Sequence, residues 1–117
     1  MLLYPAIALA MAVLSAAGLN PLVAASLIGG AFGAIPPELT EPYFLAFSLA
    51  AGWGVAYGIS PFTTGTVVLA SMLGASPNAL AWRCNGAFSL AALAFVLAII
   101  LTAVTLTAAP IPPGGDQ

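Results

Sequence analysis

Ser60, Thr63, Thr64 and Thr66 put four hydroxyls into seven residues, interleaved with Pro61, Phe62 and Gly65. Each hydroxyl can donate and accept a hydrogen bond. The stretch Gly58-Ile59-Ser60-Pro61-Phe62-Thr63-Thr64-Gly65-Thr66 lies between apolar runs, Tyr43 to Tyr57 and Val67 to Leu73. Pro61 removes a backbone donor and disfavours helix at Ser60, and the glycines permit turns that other residues resist. An apolar medium tolerates such a break only where the freed backbone groups face protein, an ion or a watery cavity. Two readings of the break follow. In the first, a proline-kinked helix uses its hydroxyls to satisfy its own backbone. In the second, the break is a site. Carbonyls closing the first half-helix, around Tyr57 to Ser60, favour a cation such as Na⁺. Amides opening the second half-helix, near Thr63 to Thr66, favour an anionic group. The candidate substrate- and ion-binding residues are Ser60, Pro61, Thr63, Thr64, Gly65 and Thr66.

No catalytic constellation accompanies these residues. The chain has no histidine and no lysine, its one aspartate is Asp116 in the tail, and nothing supplies a base for Ser60. It is not expected to be an enzyme. Cys84 is the single cysteine, so an intramolecular disulfide is excluded and a cysteine-based metal site lacks partners. A small buried or interfacial role is expected for it. No cofactor is expected, and Na⁺ is the candidate coupling ion.

The elements that must position the break are set by composition. Of 117 residues, 62% are hydrophobic and 3% are charged, whereas soluble domains carry about a quarter charged residues. The charges are Arg83, Glu38, Glu41 and Asp116. This composition predicts an all-α, polytopic membrane protein with the lipid bilayer as its first partner, expected in a bacterial inner (plasma) membrane. A basic patch able to neutralise phosphates is missing, so nucleic acid is excluded as a partner.

About four hydrophobic segments are expected, over residues 2–19, 21–34, 43–74 (broken at 59–65) and 85–108, with a disordered Pro/Gly-rich tail at 110–117. The first has no positive residue before it, as a cleaved leader would, and reads as a retained helix. Asn20-Pro21 supplies a cap and a first-turn proline for the second. Ala25, Gly29 and Gly33 fall four apart, as do Ala46, Ala50, Gly54 and Gly58, giving two flat helix faces suited to close packing. Ile35 to Pro42, with three prolines and two glutamates, reads as a solvated loop. Ala75 to Cys84 reads as a second polar joint, with Trp82 and Arg83 as an interfacial anchor. The broken segment fits either a hairpin returning to its side of entry or one discontinuous crossing.

The combination of Gly18-Leu19-Asn20-Pro21-Leu22-Val23-Ala24-Ala25, then Gly58-Ile59-Ser60-Pro61-Phe62-Thr63-Thr64-Gly65, then a final apolar helix resembles the C-terminal portion of the ion transporter superfamily, its divalent anion/sodium symporters in particular. The resemblance spans roughly residues 18–107, and its specific part is the break. It implies a broken helix whose tip, here Ser60, Pro61, Thr63, Thr64 and Gly65, helps to bind sodium and a substrate carboxylate. Members of that family are several times longer, carry two inverted repeats, and commonly place an asparagine beside the tip hydroxyls. Here there is one break and no asparagine within it. The resemblance therefore implies a C-terminal piece that works with an N-terminal half, with other subunits or as a homo-oligomer.

The expected function is secondary transport of a small anion coupled to Na⁺ or H⁺. The alternative is a small non-catalytic membrane subunit that packs through its Ala/Gly faces. Under that alternative Gly54→Leu is the damaging substitution.

Overall fold

The computed structural model describes residues 2–108, and the expected tail at 110–117 lies outside them. Among the described residues the chain is all-helical. Five α-helices follow in order: α1 (Leu3–Ala16), α2 (Pro21–Gly33), α3 (Pro42–Ile59), α4 (Thr64–Leu73) and α5 (Gly86–Ala108). A 3₁₀ turn at Pro37–Leu39 lies between α2 and α3, and a π-helical turn at Ala79–Cys84 between α4 and α5.

Each boundary has a local cause. Gly18, at φ 110°, ends the first helical run, so α1 stops at Ala16 and not near Leu19. The Asn20 side chain accepts from the Leu22 amide at 2.9 Å, and Pro21 occupies the first turn of α2. Asn20→Ala removes this cap and is expected to lower stability by about 1 kcal/mol, read as a downward shift in thermal unfolding. Gly74, at φ 62°, closes α4 in a left-handed cap, with the Ala75 amide donating to the Ala70 carbonyl at 2.9 Å.

Helices α1 and α3 lie side by side and run parallel. Tyr4 meets Phe44 with ring centroids 5.5 Å apart, and its hydroxyl accepts from the Glu41 amide at 2.7 Å. Further along, Gly52 sits against Met11 and Ala8, and Gly18 lies under the Phe62 ring. Helix α2 returns antiparallel to them, with Gly29 against Leu49. Helix α5 also returns antiparallel to α3. Its start is tied to the end of α3, and its far half packs Ile100 and Val104 with Ala8, Tyr4 and Phe44. The seam of α3 is Ser48, Gly52, Val55, Ala56 and Ile59. The four-residue repeat of the sequence is divided: Gly58 packs against Ser89 and Asn85. Ala46, Ala50 and Gly54 point outward, because α1 takes the adjoining face where Gly52 allows the closest approach.

Two stretches are long and apolar enough to cross a bilayer: Pro42–Leu73, which contains the break, and Gly86–Ala108. Helices α1 and α2, at 14 and 13 residues, extend about 20 Å each against a core of about 30 Å. Large apolar side chains are exposed on every helix, including Leu27, Tyr43, Met72, Phe88 and Leu106.

Helix α4 does not fold back along α3; it packs on the π-helical turn. The chain turns back through the π turn and α5. The Ala75 to Cys84 joint is in large part helical, against its expected loop character. The Ser76 hydroxyl accepts from the Ala79 amide at 3.2 Å and starts the turn after Pro77.

Candidate functional site

The break is narrower than the sequence suggests, since Ile59 still belongs to α3 and Thr64 and Gly65 already belong to α4. Ser60 is extended (φ −84°, ψ 125°), as a residue before proline prefers. Its amide still closes α3 on the Ala56 carbonyl at 3.0 Å, and Pro61 has no amide to continue the ladder. The Ser60 hydroxyl accepts from the Phe62 amide at 3.2 Å. Thr63 is extended in turn and caps α4: its Oγ1 accepts from the Thr66 amide at 3.3 Å and shares a hydrogen bond with Thr66 Oγ1 at 2.8 Å.

The carbonyl of Gly58 is freed by the break, and Asn85 reaches it. Asn85 Nδ2 donates to Gly58 O at 2.8 Å across 27 positions of sequence. Asn85 stands between the π turn and α5, so the second long apolar stretch begins where the first is interrupted. π-Helical turns are rare and often mark functional positions. A Cβ on Gly58 would lie 2.6 Å from Ser89 Oγ and 2.8 Å from Asn85 Nδ2, so the glycine is what allows the contact.

Two clefts flank the break. The smaller, about 90 Å³, is lined by Asn20, Pro21, Trp53, Tyr57, Thr63 and Thr64. The larger, about 490 Å³, lies between the end of α3, the start of α4 and the π turn. Its lining is Tyr57, Gly58, Gly65, Thr66, Cys84 and Asn85 beside the break, with Leu69 about one turn further along α4 and Leu80 and Ala81 about one turn back along the π turn. Tyr57 borders both. Its hydroxyl lies 3.0 Å from where a Gly65 Cβ would be, so the phenol rests on the first turn of α4.

The six expected site residues thus divide. Thr63 and Thr64 face the small cleft, and Gly65 and Thr66 face the large one. Ser60 and Pro61 are buried, line neither cleft and shape the turn. Asn85, Asn20 and Tyr57 join the site from other positions and were missed. Asn85 reaches the break from beyond the π turn. Its only signal in sequence was a polar side chain at the start of the last apolar run. Cys84, expected to be buried or interfacial, is exposed on the large cleft, because the π turn carries it to the outer side of the chain.

No family model, curated protein or solved structure matches the chain.

Proposed function

We propose that the chain inserts in a membrane and serves the secondary transport of a small anion coupled to Na⁺ or H⁺, with the α3–α4 break as the binding site. The observation that carries this reading is the pair of clefts, each carrying some polar side chains, on either side of a helix interruption whose freed carbonyl is held by Asn85. A kink serving only its own backbone has no need of open clefts lined by Thr64, Thr66, Tyr57 and Asn85. The exposed apolar surface supports insertion, since soluble chains seldom leave so much of it in water. Membership of the ion transporter superfamily remains part of this proposal, as does a bacterial inner membrane. Both clefts are open at one side, so other copies or further segments complete the pathway.

Purified protein in detergent is expected to unfold at higher temperature in Na⁺ than in choline at equal ionic strength. Binding at a hundredfold excess over Kd adds about 2.7 kcal/mol. Absence of that shift, together with absence of anion uptake into proteoliposomes under either a Na⁺ or a pH gradient, would sink the transport reading.

One observation favours the subunit alternative. The outward face of Ala46, Ala50 and Gly54 is flat and uncovered within the chain, as a helix–helix contact with another protein requires.

A further inference from the structure

We propose that the larger cleft takes a small monocarboxylate with an apolar body, and that dicarboxylates and other multiply charged anions are refused. This rests on the transport reading and specifies its solute. The cleft's walls differ in character along its length. The Asn85 amide, the Thr66 and Tyr57 hydroxyls and the Cys84 thiol belong to residues beside the break, with Gly58 and Gly65, while Leu69, Leu80 and Ala81 come about one turn away along α4 and the π turn and make that end apolar. None of the lining residues is charged. Arg83 follows the π turn's last apolar residues but is exposed and is not part of the walls.

Charge counting follows from that lining. One carboxylate can be met by the Asn85 and hydroxyl donors, with the positive end of α4 beside them through Gly65 and Thr66. A second carboxylate on the same molecule would lie against Leu69, Leu80 and Ala81 with no partner, and an unpaired charge in apolar surroundings is strongly disfavoured. An alkyl group there instead covers leucine side chains and gains from leaving water. At about 490 Å³ the cleft is of the size that holds small organic ligands, roughly 300–1,000 Å³.

Cys84 makes the proposal measurable, because it is the single cysteine and lines the cleft. The full chain in lipid nanodiscs is alkylated with N-ethylmaleimide in the presence of acetate, butyrate, hexanoate, succinate or the neutral hexanol. Butyrate and hexanoate are expected to slow the labelling of Cys84, about tenfold at ten times Kd, with acetate weaker and with succinate and hexanol without effect. A Cys84→Ser variant carrying Asn78→Cys, an exposed position outside the cleft, should show no protection by any of them. Leu69→Trp fills the apolar end and should remove protection by hexanoate before that by acetate. Equal protection by hexanol and hexanoate, protection by succinate at least as strong as by butyrate, or no protection by any carboxylate would each overturn the proposal. Uptake by the same protein separates the two readings. Anion uptake without Cys84 protection leaves transport standing and removes this inference; protection without uptake keeps the site and removes transport.

Discussion

Replacing Gly52 with leucine is expected to force α1 away from α3 and to lower the thermal stability of the purified chain more than any other single helix substitution considered. A Cβ at position 52 would lie 2.8 Å from Met11 Cβ and 3.1 Å from both the Ala8 Cα and its carbonyl oxygen. The obstruction is largely backbone and the root of a side chain, so rotamer change cannot relieve it. Overpacking of cores typically costs about 1–3 kcal/mol, and the upper end is expected here. Gly54→Leu is the control, since nothing stands within 4 Å of a Cβ at that position. It should leave the isolated chain's unfolding unchanged. Equal destabilisation by the two variants would contradict the α1–α3 packing. Loss of assembly into a larger complex on Gly54→Leu alone would favour the subunit reading.

The second large effect concerns function. Thr63→Ala combined with Thr64→Ala is expected to abolish anion uptake while leaving membrane insertion intact. The pair removes the cap of α4, at about 1 kcal/mol, and both threonine hydroxyls of the smaller cleft. Helix content by circular dichroism and extraction from membranes should be close to those of the parent. Ser60→Ala is the informative comparison. Its hydroxyl is buried and spent on the Phe62 amide, so it should reduce stability slightly and retain uptake. Normal uptake by the double variant would remove Thr63 and Thr64 from the site.

The one-dimensional signals in this chain were strong where the cause is local. Pro61 and its neighbours stop α3 because a missing amide and a restricted pre-proline residue act within one turn. Asn20-Pro21 starts α2 for the same kind of reason. Which helix faces pack was not legible. Two four-residue repeats of small residues lay on α3, one through Gly54 and one through Ser48, Gly52 and Ala56, and only the position of α1 decides between them. The site was half legible. Hydroxyls at the break are visible as a motif, but Asn85 is brought to Gly58 by the path of a separate helix. The π turn carries no hydrophobic period that separates it from an ordinary joint, so its helical character and the outward position of Cys84 appear only in three dimensions.

The partners of the α1–α3 crossing, Ala8, Met11 and Gly52, all lie in the first half of the chain. On a ribosome they are made before the break, the π turn or α5 exists. Synthesis runs from the N-terminus, so every residue needed to dock α1, α2 and α3 is made before α5. Helix α5 then arrives onto a finished platform, laying Ile100 and Val104 over Ala8. Asn85, immediately before α5, is made after every residue of that platform and supplies the hydrogen bond to Gly58. The scaffold is thus encoded ahead of the last two residues of the larger cleft, Cys84 and Asn85.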